Sequence, residues 1–176
     1  MVDKICETHG LPLTETGVGF KYICSEMLKG DVLLGFEESG GIGFPGHIPE
    51  RDGILAGLMV LEILAVEKKS LSKLLNRLEK NYGPHRYGRI DMHFPKEKRD
   101  DLLLQCANKP PGRLLRSKVS EVKTFDGVKL IAADGSWLMW RGSGTEPVLR
   151  VYAEASTDVA VRRLLQMGAH MANALV

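Results

Sequence analysis

The sequence predicts a two-part chain, α/β followed by α+β, the second part being a small antiparallel sheet with helices on one face. Three observations carry this expectation. In the first half, a short apolar run ending in glycine precedes two long helical patterns. A Tyr82-Gly83-Pro84-His85 break then interrupts the periodicity and sets the boundary, giving parts 1–84 and 85–176. After it come a strand, a helix, several short strands separated by turn residues, and a last helix.

In the first part, residues 1–9 read as a helix end with Gly10 as its cap. Residues 11–14 read as a short strand, 16–19 as a turn and 20–28 as helix. Residues 32–36 (Val-Leu-Leu-Gly-Phe) read as a buried strand that delivers a loop at its C-terminal end, where open α/β sheets place ligands. Glu37 and Ser39 follow at i and i+2, a spacing that in extended chain points both side chains the same way. A carboxylate beside a hydroxyl can grip sugar hydroxyls. The glycines at 40, 41 and 43 do not form G-x-G-x-x-G, which excludes a dinucleotide site. The helix over 52–68 is apolar at Ile54, Leu55, Leu58, Met59, Leu61, Ile63 and Leu64, so it is expected to be well buried, with Asp52 as its cap. A second helix over 70–81 lines Leu71, Leu74, Leu75 and Leu78 along a core face.

In the second part, 87–94 alternates Ile90, Met92 and Phe94 against Arg89, Asp91 and His93, a half-buried strand. Residues 97–108 form an amphipathic helix with Leu102, Leu103 and Cys106 inward. Strand patterns follow at 119–125, 128–133 and 137–141. Asp126-Gly127 is the strongest hairpin turn, and Asp134-Gly135 is a second. A strand over 148–154 leads to a helix over 158–174 capped by Ser156 or Thr157, with Val161, Leu164, Leu165, Met167 and Met171 apolar.

Composition narrows the function classes. Apolar residues make up 44%, enough for a core, and net charge is +2 from 24 basic and 22 acidic residues. That balance lacks the basic footprint of a nucleic-acid binder. The longest apolar run is too short and too interrupted to span a membrane, and the N-terminus has no signal-peptide layout. Three cysteines, Cys6, Cys24 and Cys106, without metal spacing fit reduced thiols in a cytoplasmic protein.

The richest chemistry lies in residues 141–147, Arg-Gly-Ser-Gly-Thr-Glu-Pro, held between two strand patterns. A guanidinium matches a phosphate bidentately, hydroxyls donate to the remaining oxygens, and glycine lets backbone N–H groups approach. The residues describe a pocket for an anionic oxyacid, or else a solvated hairpin turn.

This loop, with the following 147–155, resembles the phosphate-binding loop of the α-D-phosphohexomutases, which include phosphoglucomutase, phosphomannomutase and phosphoglucosamine mutase. Residues 35–41 (Gly-Phe-Glu-Glu-Ser-Gly-Gly) and 51–55 (Arg-Asp-Gly-Ile-Leu) resemble that family's sugar-binding loop and the helix after it. Residues 16–23 resemble the turn and strand before that loop. The resemblance covers most of the family's third domain, a partial three-layer α/β/α unit, and all of its fourth. It implies substrate contacts from Lys21, Glu37, Ser39, Arg141, Ser143, Gly144 and Thr145. Many members carry histidine where Gly41 stands, a departure that bears on one side-chain contact of the sugar loop.

The family's Ser-His-Asn loop and its Asp-x-Asp-x-Asp magnesium loop do not occur in this sequence. The resemblance therefore implies a C-terminal fragment of a phosphohexomutase, an isomerase of carbohydrate metabolism working by intramolecular phosphoryl transfer. It has no catalytic or metal residue of its own, and Mg²⁺ is bound outside this chain. Its implied partners are a hexose phosphate and the enzyme's N-terminal half, with no nucleic acid and no membrane. The chain alone is expected to be inactive, and an unpaired sheet edge is expected to favour self-association. The alternatives are a non-catalytic sugar-phosphate binding module and a structural or interaction fragment. Which hexose is bound stays open.

Overall fold

The computed structural model of the chain describes residues 1–144 and 146–174. It divides into two compact units, Val2–Asn81 and Met1 with Tyr82–Val176. Among the described residues, no helix is long and apolar enough to cross a membrane.

The Val2–Asn81 unit begins with α1 (Val2–His9) and α2 (Phe20–Met27). Gly10 follows α1 at φ 63°, the left-handed conformation that glycine adopts without cost. Two-residue strands β1 (Gly35–Phe36) and β2 (Ile42–Gly43) pair antiparallel around the Glu37 turn. Next come α3 (Gly53–Glu67) and α4 (Leu71–Tyr82). Asp52 caps α3, its Oδ1 accepting from the N–H groups of Ile54 and Leu55.

Three expectations fail in this unit. Residues 11–14 form no strand. The 32–36 run is a strand only at its last two residues, and Leu33 is 72% exposed. Helix α3 forms with nearly the bounds its pattern implies but has no buried residue, and on α4 only Leu74 is buried, Leu71 and Leu75 being exposed. The last two share a physical reason. A run apolar on every side is covered only when neighbours pack on every side, and β1–β2 is too small a sheet to cover α3.

The second unit starts with β3 (Arg86–His93) and α5 (Lys96–Asn108). The strands β4 (Arg113–Leu114), β5 (Ser117–Lys123), β6 (Val128–Ala132), β7 (Trp137–Gly142) and β8 (Val148–Ala155) follow, and α6 (Asp158–Asn173) closes the unit. They make one antiparallel six-stranded sheet in the order β3-β8-β7-β6-β5-β4. Thr157 caps α6 by accepting from the Ala160 N–H.

Side chains of α5 (Leu102, Cys106) and α6 (Val161, Leu164) join Leu130, Leu138, Trp140, Leu149 and Val151 of the sheet in one buried cluster. Glycine sets how closely α6 approaches. A Cβ at Gly168 would stand 2.6 Å from Val151 Cγ1, and the Gly168 carbonyl accepts from Trp140 Nε1 at 3.0 Å. Burial pushes the Cys106 thiol up to about 11, so it packs as a small apolar group.

Candidate functional site

Alternation along β7 decides which groups reach the 143–147 loop. Trp140 and Leu149 are fully buried on the helix-covered face. Arg141, one step beyond Trp140, therefore lies on the opposite face, directly across from Arg150, which in turn faces Asp91 on β3. Arg141 sits near the end of its strand rather than at a loop tip, and its side chain is only 19% exposed.

Arg141 is held by Asp126. Its Nε–H lies 3.1 Å from both carboxylate oxygens. That contact uses one donor and leaves the two Nη groups, the fork that matches a phosphate, outside the pair. The β6–β7 register carries Asp126 there, since Val128 pairs with Trp140 and the Asp126-Gly127 turn lies just beyond. Gly127 has φ 87°, and a Cβ on it would collide with the Trp140 carbonyl oxygen. The turn thus needs glycine for two reasons, conformation and close approach.

A second guanidinium reaches the loop from the helix side. Arg99 on α5 lies against Gly142, where a Cβ would overlap its Cδ, and its Nη1 donates to the Ser143 carbonyl. In a planar trans peptide the C=O and the following N–H point in opposite directions. Fixing the Ser143 carbonyl toward Arg99 therefore aims the Gly144 N–H away from α5. The Ser143 N–H donates to the Val148 carbonyl at 2.9 Å, and the Ser143 hydroxyl accepts from the Glu146 N–H at 3.2 Å. Ser143 is 5% exposed, so its hydroxyl braces the loop and keeps its own hydrogen to donate. Gly144 is exposed, and Thr145 lies outside the described residues.

Arg150, one strand away, is paired with two other carboxylates. It lies 3.6 Å from Asp91 and 4.0 Å from Glu146, while Glu154 contacts His85 at 2.6 Å.

In the Val2–Asn81 unit, Glu37 and Ser39 share one turn, and Lys21 lies on α2. The Glu37 N–H donates to the Gly41 carbonyl at 2.9 Å, and the Gly40 N–H donates to the Glu37 carbonyl at 3.0 Å. Residues 37–41 therefore turn rather than extend, and the i, i+2 alternation argument does not apply to Glu37 and Ser39. Ser39 is exposed. Glu37 is largely covered, and its Oε2 accepts from Arg51 Nη1 at 3.0 Å. Lys21, on α2, places its Nζ 4.8 Å over the Tyr22 ring. His47 is structural: its Nε2 meets Asp52 Oδ2 at 2.9 Å. The α3 N–H groups, with His47 second, hold the Asp52 carboxyl below the usual range.

Asp126, Arg99 and Arg51 contact the candidate residues, and sequence reasoning did not select them. Asp126 stood in a turn motif that already explained it. Arg99 stood in a run of charges, and Arg51 opened a helix.

Comparison with known proteins agrees across both units. The model described as phosphoglucomutase/phosphomannomutase, alpha/beta/alpha domain III matches residues 1–82. The C-terminal domain model of the same enzymes matches residues 103–170. A phosphoglucomutase/phosphomannomutase of Thermococcus kodakarensis is 30% identical over 168 residues, covering 96% of this chain and 34% of that protein. A phosphoglucosamine mutase of Anoxybacillus flavithermus is 33% identical over 155 residues, covering 88% and 30%. A Thermus thermophilus protein assigned as a phosphomannomutase has a crystal structure that superposes with a TM-score of 0.78 at 35% identity. That alignment covers 98% of this chain and 34% of the other. The chain thus spans about a third of the length of the relatives it matches. With a third-domain match on one unit and a C-terminal-domain match on the other, the chain belongs to the phosphoglucomutase/phosphomannomutase family.

Proposed function

We propose that this chain supplies the substrate-holding part of a phosphohexomutase, an enzyme that interconverts hexose 1- and 6-phosphates through a bisphosphorylated sugar. The observation that carries this is Arg141, aimed by Asp126 at the edge of a loop whose backbone Arg99 fixes. Two guanidiniums, one on each face of the sheet, are more than a solvated turn needs. Arg141 Nη groups, the Gly144 N–H, the Ser143 hydroxyl and Thr145 hold the phosphate that is not reacting. Glu37 and Ser39 take sugar hydroxyls, and Lys21 adds positive charge on that unit. Anchoring on a phosphate and on ring hydroxyls accepts the sugar in either orientation, as a mutase requires.

Phosphoryl transfer also needs a nucleophile and charge neutralisation at the moving phosphorus, which Mg²⁺ supplies in this chemistry. Among the described residues no three His, Cys, Asp or Glu side chains converge as a metal set, so these residues do not fit that ion. We place the Mg²⁺ and the phosphorylated serine in the rest of the parent enzyme, the N-terminal half that partners this chain in the cytoplasm. The chain alone is expected to leave glucose 1-phosphate unconverted, even with Mg²⁺ added.

The test is an NMR titration with inorganic phosphate. Amide shifts at Ser143 and Gly144 in the wild type that disappear in Arg141→Ala support the grip. Losing one charge-assisted contact costs about 1.5–3 kcal/mol, roughly ten- to a hundredfold in affinity. Shifts that persist in that variant, or that map elsewhere, refute it.

A further inference from the structure

We infer that Arg51 is the positioning residue of the Glu37 loop, and that it reaches Glu37 only because position 41 carries no side chain. The inference deepens the proposed sugar grip and rests on that reading for its ligand. Its structural half stands on geometry within one unit.

Four observations converge. Arg51 Nη1 donates to Glu37 Oε2 at 3.0 Å, although fourteen residues separate them. A Cβ built on Gly41 would stand 2.9 Å from Arg51 Cδ and 3.3 Å from Glu37 Oε2, so the Arg51 stem occupies the space a side chain at 41 would fill. The Arg51 guanidinium lies 5.7 Å over the ring of Phe20, which is 3% exposed and anchors that end of α2. Finally, the Asp52 N–H donates to the Ile42 carbonyl at 3.0 Å, which pins the chain at Arg51 to the far end of the same turn.

The consequence is chemical. With Oε2 held by Arg51, the Glu37 carboxylate presents Oε1 in one fixed direction. Of the other Arg51 donors, Nε lies 3.9 Å from Glu50 Oε1, which leaves Nη2 to stand beside the carboxylate on a side chain that is 54% exposed. An acceptor and donors side by side match a polyol, whose hydroxyls both donate and accept. A bare carboxylate on a mobile loop would have to be ordered at each binding event, at a cost that a preformed clamp removes. Glycine at 41 and arginine at 51 are thus two halves of one device.

The experiment combines Arg51→Gln, Gly41→Ala, the double variant and Arg51→Lys in the full chain. Two readouts are taken: ligand-free amide exchange at Glu37 and Gly40, and titration with glucose 6-phosphate and with inorganic phosphate. Both single variants are expected to speed exchange at these amides, because the turn they close loses its brace. Gly41→Ala is expected to add nothing in the Arg51→Gln background, since both remove the same contact. Lysine, a point charge without the fork, restores part of the effect. Glucose 6-phosphate affinity is expected to fall by about two- to tenfold, with inorganic phosphate unchanged.

Unchanged exchange in Arg51→Gln and Gly41→Ala overturns the inference, and so does full additivity of the two. Equal weakening of both ligands also overturns it. If the wild type binds no sugar phosphate while exchange responds as expected, the clamp is supported and the substrate-holding function fails instead.

Discussion

Arg141 and Asp126 meet across β7 and the β6 hairpin turn, the Nε–H of one 3.1 Å from both oxygens of the other. The pair sets two effects against each other at the proposed phosphate site. Asp126 aims the guanidinium, and its negative charge opposes an incoming anion. Removing the charge alone favours phosphate by a screened Coulomb term of roughly 1–3 kcal/mol for so covered a pair. Removing the aim costs about 1.5–3 kcal/mol, the value of a charge-assisted hydrogen bond. Asp126→Asn keeps an acceptor and loses the charge, so its phosphate affinity should equal or exceed wild type. Asp126→Ala loses both and should bind more weakly than Asp126→Asn. Calorimetric titration ranks the three, and an alanine variant that binds best would refute the aiming role.

Arg99 leads to a second expectation about the same loop. Gly142→Ala places a methyl where the Arg99 stem lies and should drive its guanidinium off the Ser143 carbonyl without removing any charge. Arg99→Gln should produce the same loosening. Both should raise the amide exchange rate of Ser143, whose N–H bonds the Val148 carbonyl, and weaken phosphate binding by about three- to thirtyfold, the range for one hydrogen bond to a charged group partly replaced by water. Wild-type exchange at Ser143 in both variants would show that the loop holds its shape without Arg99.

These contacts explain how far the sequence could be read. The second unit was legible in most of its elements, because most of its strands are buried on one face and its helices on one stripe, while the two-residue β4 and the first residues of β5, which has no buried residue, carried no such pattern. Ile90, Met92 and Phe94 alternate inward as their pattern required, and Val161, Leu164 and Leu165 face the sheet. Asp-Gly turns fixed where the hairpins fall. The first unit was legible in its elements and not in its burial. Helix α3 has a composition that normally means core, and periodicity cannot report whether the covering layer is in the same chain. At the candidate site, the loop sequence singled out Arg141, whereas nothing singled out Asp126. A cross-strand partner fifteen residues away depends on register, and a turn motif already accounted for the aspartate. The roles of Gly41 and Gly142 were equally hidden, since each exists to leave room for an arginine brought there by tertiary structure.

Acid should loosen the junction between α3 and α4. Glu67 accepts from Arg77 through both oxygens at 2.9 Å and from Lys69 at 3.1 Å. The Arg77 bonds, then Lys69, hold its carboxyl down at about 2 against an ordinary value of 4.5. A carboxyl depressed in the folded state stabilises it fully above its unfolded value, and that contribution fades as pH falls through the folded one. The contribution should therefore be complete above about pH 5 and decline from there toward pH 2. Glu67→Gln should flatten this part of the stability–pH profile while leaving the profile above pH 5 parallel to wild type. Superimposable acid limbs for the two proteins would exclude the junction as a source of acid sensitivity.

The exposed face of α3 makes the strongest claim about behaviour in solution. Ile54 is 81% exposed, Val66 74%, Leu61 62% and Leu58 58%, on a helix with no buried residue. Soluble monomers rarely leave a contiguous apolar surface of this kind uncovered. The edge offered by Gly35–Phe36 is only two residues long, a poor template for strand addition. Association of the isolated chain should therefore run through α3 rather than through the sheet edge that the sequence suggested. Sedimentation of wild type should show mass rising with concentration, and the chain should bind a hydrophobic dye. Leu58→Glu combined with Leu61→Lys should suppress both, because two charges on adjacent turns make burial of that face costly. Phe36→Lys, which alters the strand edge alone, should leave both unchanged. Cooperative unfolding of the second unit should be the same in all three proteins, since its core is built from other residues. A wild-type chain that stays monomeric and dye-free at high concentration would show that α3 finds its own cover. Suppression by Phe36→Lys instead of the helix variant would return the interface to the strand edge.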